Sequence, residues 1–404
     1  MYSPLSRKRF LFPLIPSDWH DVARAIHRSG RQLVIAVTGG GSGALGALLQ
    51  TPGASRSIIG AVVPYSLPAL IDWIGGKPDQ ACSEATARAM AMAAFMRARS
   101  LTPDVDPMSL IGVSCTASLA TDRPKRGERR IYTAVQIANR TVVYSLPLVD
   151  GAPTRAADEA AATLFTLWTI AQSCGVAATE LERSLPQGWH NAVRRGEADA
   201  SPAETELLLF DRWRAVLRPG SAVDYFPEGQ SPAMTLVFPG AFNPPHAGHL
   251  RMAAVAEVRL QRPLTWELSI TNVDKPPLDF ISIRDRAAAI RKEDSERPIA
   301  LTRAETFHQK ASLFPGATFV VGADTLLRIA EPRYYAESSR LRDKAIAKIS
   351  QQGCRFLVFG RQVEGQFLTL GDLDILAELR TLCDEVPPSA FREDISSTEL
   401  RKGN

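Results

Sequence analysis

Phe238-Pro239-Gly240-Ala241-Phe242-Asn243-Pro244-Pro245-His246-Ala247-Gly248-His249 is the stretch that decides how the chain is read. It follows an apolar run at residues 234–238 and leads into helix formers from Ala247 onward. That order reads as strand, turn and helix. Gly240 lets the backbone turn close to a ligand. His246 and His249 stand three apart at the start of the helix, so they share a face. The positive end of a helix and two imidazoles together suit a phosphate. Gly248 leaves room for a nucleotide to lie against the backbone. A bare His-x-Gly-His also fits two ordinary histidines beside a turn. The strand, the prolines and the glycine turn around it favour a ligand site.

Downstream, the pattern predicts helices over 247–259, 284–292, 304–313 and 324–330, alternating with strands over 266–270, 317–321 and 355–359. The alternation implies an α/β domain whose parallel sheet is wound on both faces. At its far end stands Ile395-Ser396-Ser397-Thr398-Glu399-Leu400-Arg401. Ser396 and Glu399 have capping-box spacing, with Arg401 one turn in. Free backbone N–H groups, hydroxyls and a guanidinium suit a triphosphate tail. A plain capped terminal helix explains the same residues.

Together the two end motifs resemble the nucleotidylyltransferase superfamily, and within it the nicotinamide (or nicotinate) mononucleotide adenylyltransferases. That family opens on Gly-x-Phe-x-Pro-x-His-x-Gly-His and closes on Ile-Ser-Ser-Thr-x-Leu/Ile-Arg. Val321-Gly322-Ala323-Asp324 resembles its Gly-Ala-Asp turn, and Phe359-Gly360-Arg361 its later strand ending in arginine. The resemblance implies a Rossmann-like domain over 233–404 that transfers AMP from ATP to a mononucleotide and releases pyrophosphate. It implies His246, His249 and Arg401 as catalytic residues, and Ser396, Ser397 and Thr398 at the phosphates. It also places Gly240, Phe242, Gly248, Gly322 and Asp324 at the nucleotide. Lys275 falls where the family often has a basic residue near phosphate, and a solvated loop lysine is an equal reading. Where the family often stacks the pyridine ring on tryptophan, this chain offers Tyr334 and Tyr335. Mg²⁺ is expected to arrive on ATP.

The first half carries a second resemblance. Pro52-Gly53-Ala54-Ser55, Gly60-Ala61-Val62-Val63-Pro64-Tyr65-Ser66 and Cys82-Ser83-Glu84 are similar to the CinA carboxy-terminal family, the nicotinamide-mononucleotide amidases. That family commonly has Glu-Ser-Cys-Thr-Gly-Gly at its first turn, where this chain has Thr38-Gly39-Gly40-Gly41-Ser42-Gly43. It also has a lysine after its Tyr-Ser pair, a position that falls near Leu70. A serine needs a neighbouring base to act as nucleophile, and His20 and His27 show no serine partner in the sequence. A CinA-like α/β domain over 1–185 that has lost amidase activity is therefore expected, with Ser55 and Tyr65 as a remaining ligand site. The glycine run at 39–43 would cradle a phosphate or merely permit a tight turn. Residues 186–232 read as a connector carrying one helix, opened by the capping box Ser201-Pro202-Ala203-Glu204.

Composition sets the limits. A chain of 404 residues, 45% hydrophobic and 22% charged, supports two cores at roughly 100–200 residues per domain. A net charge of +4 suits small anions without requiring nucleic acid. The 5 cysteines stand at neither metal nor redox spacing and read as reduced thiols. With no long apolar run, the expectation is a cytoplasmic protein that binds neither membrane nor nucleic acid, with a homo-oligomer left open. Two other functions fit the sequence: a cytidylyl- or adenylyltransferase with another phosphorylated acceptor, and a non-catalytic nucleotide sensor.

Overall fold

The strand β1 (Gln32–Thr38) has six successive buried residues. A strand covered on both faces needs apolar side chains at every position, which is why Leu33-Val34-Ile35-Ala36-Val37 shows no alternation. In the computed structural model, which describes residues 19–122, 127–148, 154–210, 213–218, 223–227, 233–271, 278–363 and 366–392, the chain divides after Asp199 into two units.

The first unit is a mixed sheet. Beside β1 stand β2 (Ile58–Val62), β3 (Leu110–Ser118), β4 (Arg130–Ile137), β5 (Arg140–Pro147) and β6 (Arg194–Asp199). Their order is β2-β1-β3-β4-β5-β6, parallel from β2 to β3 and antiparallel from there on. The helices are α1 (Trp19–Arg28), α2 (Gly43–Gln50), α3 (Leu67–Ile74), α4 (Glu84–Leu101), α5 (Arg155–Ser173), α6 (Thr179–Ser184) and α7 (Trp189–Ala192). Leu33, Ile35, Ile111 and Val113 meet Phe165 and Leu167 of α5 in the main core. Ala36, Leu70, Ile74, Ala89 and Met90 form a smaller core.

Two features of this unit change the reading of the sequence. Gly39 has φ +75°, and a Cβ there would lie 2.1 Å from the Ala117 carbonyl oxygen. Beyond it, Glu159 Oε1 accepts from Ser42 N at 2.8 Å and Ser42 Oγ at 2.9 Å. The chain's own carboxylate thus occupies the start of α2, and the glycine run is a tight packing turn. Second, His27 does have a serine partner: its Nδ1 lies 2.6 Å from Ser57 Oγ and its Nε2 3.0 Å from Leu48 O. Both side chains are buried, and burial lowers the His27 pKa. The pair fastens α1 to the segment before β2, a contact of sequence-distant residues.

The second unit contains β7 (Trp213–Leu217), β8 (Val223–Pro227), β9 (Leu236–Pro239), β10 (Leu264–Ser269), β11 (Ile299–Thr302), β12 (Thr318–Gly322) and β13 (Arg355–Phe359). The hairpin β14 (Arg361–Val363) and β15 (Gln366–Leu368) and the strand β16 (Cys383–Val386) follow. Its helices are α8 (Pro202–Leu209), α9 (Ala247–Leu260), α10 (Phe280–Glu293), α11 (Phe307–Leu313), α12 (Ala323–Ala330), α13 (Ser339–Gln351) and α14 (Ala377–Arg380). The sheet runs β16-β13-β12-β9-β10-β11-β7-β8. From β9 the chain builds outward through β10 and β11. It then returns to the other side of β9 for β12, β13 and β16, all parallel. The order reverses between β9 and β12, which opens a crevice at the carboxyl ends of those strands.

Residues 186–232, read from sequence as a connector, divide between the two units. β6 pairs with β5, and β7 and β8 form an antiparallel hairpin beside β11. β6 and β7 depend on partners far along the chain, in β5 and β11, and β8 on β7, so local pattern does not reveal them. The predicted helix over 304–313 begins instead at Phe307, because Thr306 forms a capping box with Gln309. The carbonyl of Ala304, outside the helix, accepts from Lys310 Nζ and Ser269 Oγ.

Candidate nucleotide site

The turn after β9 delivers the chain directly into α9, with His246 at the N-cap and His249 in the first turn. The His246 backbone N–H donates to His249 Nδ1 at 3.2 Å, and the two rings lie 3.7 Å apart, tilted by 31°. Behind His249 stand the rings of Phe242 at 5.3 Å and Phe238 at 5.9 Å. Burial among them, with the positive fields of His246 and Arg361, brings the His249 pKa down to about 3. At neutral pH the ring is uncharged. Since Nδ1 accepts a hydrogen bond, the proton sits on Nε2. His249 therefore offers a directed N–H donor beside the positive helix end.

Gly240 and Phe242, which the resemblance places at the nucleotide, also pack against one another. Phe242 is 2% exposed, with its ring edge-on to Trp266 at 4.9 Å and to Phe238 at 5.6 Å. Its φ of +42° lies in the left-handed region, a cost of about 1–2 kcal/mol for a residue with a Cβ. A Cβ on Gly240 would lie 2.4 Å from the Phe242 ring. The glycine thus makes space for that ring, and Phe242 packs inward under His249. Gly248 is buried within α9. Gly322 caps α12, and a Cβ there would lie 2.6 Å from Asp324 Oδ1. Asp324 is 3.7 Å from Arg328 one turn on.

Beside the turn lies a cavity of about 230 Å³. Gly240, Glu267, Arg286, Lys310, Tyr334 and Tyr335 are among its walls. Tyr335 is 8% exposed, its hydroxyl donates to Ile329 O at 3.1 Å, and burial pushes its pKa up to about 12. It is a fixed wall. Tyr334 is half-buried, with the Arg333 guanidinium 4.6 Å from its ring centre. Arg286 donates to Ala241 O at 3.0 Å and so ties α10 to the turn. The floor holds an ion pair missed by sequence reasoning: Lys310 Nζ lies 2.8 and 2.9 Å from the two Glu267 oxygens. A glutamate inside the apolar strand Leu264-Thr265-Trp266-Glu267-Leu268 was the available signal, but its lysine is 43 positions away.

The structure thus gathers Gly240, Tyr334 and Tyr335 at one cavity and stacks His246 on His249 at the adjoining helix start. Lys275, Ser396, Ser397, Thr398 and Arg401 lie outside the described residues. In the first unit Ser55 is exposed, Tyr65 is 67% exposed, and Leu70, where a lysine was sought, is 2% exposed within the small core. Among the described residues, no helix is long and apolar enough to cross a membrane.

A strand order that reverses beside β9, joined to a His-x-Gly-His helix start at that reversal, is the arrangement of a nucleotide-binding protein. The cytidylyltransferase-like family model matches residues 237–403. A putative nicotinamide mononucleotide adenylyltransferase of Schizosaccharomyces pombe is 30% identical over 184 residues, 42% of this chain and 69% of that protein. The chain belongs to this family of nucleotidyltransferases. A probable nicotinate-nucleotide adenylyltransferase of Agrobacterium fabrum is 40% identical over 73 residues, 17% of this chain and 37% of that protein. Among solved structures, the competence/damage inducible protein CihA of Agrobacterium tumefaciens is 21% identical, covering 40% of this chain and 98% of its own, with a TM-score of 0.34. A competence-damaged (CinA) superfamily protein of Escherichia coli is 17% identical, covering 38% and 87%, with a TM-score of 0.31.

Proposed function

We propose that the second unit transfers AMP from ATP to nicotinamide or nicotinate mononucleotide, giving the dinucleotide and pyrophosphate. The observation that carries this reading is the neutral His249 donor at the start of α9, beside a cavity walled by Tyr334 and Tyr335 at the switch point of the sheet. The names of the two relatives support the same acceptor class.

The mononucleotide phosphate is already ionised at neutral pH, so its oxygen attacks the α-phosphorus without a general base. A new P–O bond forms there, and the bond to the β-phosphate oxygen breaks with its electron pair leaving on pyrophosphate. The protein's task is alignment and stabilisation of shifting negative charge. His249 Nε2–H and the free N–H groups of α9 would donate to the phosphate oxygens. Arg401 and the hydroxyls of Ser396 and Thr398 would hold the leaving pyrophosphate. Among the described residues, His, Cys, Asp and Glu form no group of three or more able to hold a metal; Mg²⁺ would be held by the phosphates of ATP, where it offsets their charge.

The first unit is read as lacking amidase chemistry, because Leu70 is a core residue and the glycine run is closed by Glu159. The test of the leading reading is pyrophosphate release by the purified chain from ATP and each mononucleotide, with the dinucleotide identified by chromatography. Hydrolysis of ATP that ignores the mononucleotide would refute it.

A further inference from the structure

The acceptor cavity has a floor of unusual chemistry. Glu267 is 1% exposed and Lys310 5% exposed, yet both face the cavity. Lys310 Nζ is surrounded by three oxygens, Glu267 Oε1 at 2.8 Å, Glu267 Oε2 at 2.9 Å and Ala304 O at 2.8 Å. An ammonium has three hydrogens, so its donors are all engaged. Glu267 Oε1 accepts from Lys310 and from the buried Thr302 hydroxyl. Glu267 Oε2 accepts from Lys310, and a carboxylate oxygen has two acceptor positions. The pair thus has one acceptor position left on Oε2 and no donor. Cationic groups stand elsewhere on the walls: Arg286 on α10 and the half-exposed Arg328 on α12.

We infer that the Glu267–Lys310 pair selects the acceptor, favouring a mononucleotide whose ring bears an uncharged, hydrogen-bond-donating carboxamide over one that bears a carboxylate. This rests on the reading of the cavity as the acceptor site. A carboxamide N–H can donate to Glu267 Oε2. A carboxylate in the same place finds no donor on Lys310 and meets the Glu267 oxygens at contact distance. A site whose buried acceptor is left unpaired, or faces another acceptor, rejects the wrong ligand strongly. The phosphate end of the same ligand has the arginines and the helix start for its charge.

The experiment compares nicotinamide mononucleotide with nicotinate mononucleotide as acceptors for the full chain, at saturating ATP, by pyrophosphate release. The wild type is expected to favour the carboxamide at least tenfold in kcat/KM. Replacing Glu267 alone would leave Lys310 buried without its partner and risks unfolding. The variant of choice is therefore the double change Glu267→Gln and Lys310→Met, checked for a cooperative thermal transition. It should bring the two acceptors to within about threefold of each other while KM for ATP stays unchanged. A purely structural role of the pair would lower both acceptors together and leave their ratio intact, which overturns the inference. Equal use of both acceptors by the wild type, or preference for nicotinate, overturns it while leaving adenylyl transfer standing. Absence of pyrophosphate release with either acceptor overturns the reading of the cavity, and the inference falls with it.

Discussion

His249 gives the most decisive perturbation. Its pKa of about 3 means that the folded protein holds a neutral imidazole where a free one titrates at 6.5. The reaction would then use the Nε2–H as a hydrogen-bond donor to phosphate oxygen. Removing one such donor costs about 10²–10³ in turnover, or about 3–4 kcal/mol, so His249→Ala should lower kcat by that factor. His249→Gln keeps an N–H donor without a titratable ring and should recover part of the loss. The same group predicts a pH effect on stability. Between pH 6.5 and 3 the unfolded chain takes up a proton that the folded one refuses, so stability rises with pH in that window. The contribution is present above pH 6.5 and is lost as pH falls toward the folded pKa. At about 1.4 kcal/mol per pH unit, lowering pH from about 6.5 to about 4.5 removes at most ~3 kcal/mol. Urea unfolding at both pH values, for wild type and His249→Ala, isolates the term as the difference between the two pH dependences. Identical dependences would refute the buried, neutral imidazole. Wild-type turnover in His249→Ala would refute its place at the phosphates.

Arg401→Lys keeps the charge but loses the planar fork, so steady-state kinetics should show an impaired response to ATP; normal kinetics would make Arg401 an ordinary residue of the terminal segment. Lys310→Met leaves the Glu267 carboxylate buried without its partner, which costs about 3–5 kcal/mol in urea unfolding. The added change Glu267→Gln should restore most of that, and equal stability of the single and double variants would contradict the pairing. The full chain should release no ammonia from nicotinamide mononucleotide; release that disappears in Ser55→Ala would show a working amidase and overturn the reading of the first unit.

Much of the site was legible in the sequence because it is local. The run from Gly240 to His249 supplies a turn and a helix start within ten residues, and the helix geometry that stacks His246 on His249 follows from their spacing. The elements built on strong short-range patterns, such as β12 and β13, were legible for the same reason. The strands β6 and β7 were not, since their place is fixed by partners in β5 and β11, and β8 is placed through β7.

By itself, then, the sequence determined the two α/β halves, the nucleotidyltransferase class and the His-x-Gly-His start, all encoded in periodicity and contiguous motifs. Only tertiary structure decided that Gly240 makes room for Phe242, and that Glu159 closes the glycine turn. It also decided that Ser57 partners His27 and that Lys310 joins Glu267 beneath the cavity. The charge on His249 belongs to the same group, because desolvation depends on the rings of Phe238 and Phe242 packing against it in edge contacts. Each of these is a contact or a burial among residues separated along the chain or turned out of its regular pattern, and a linear pattern carries no distance between such residues.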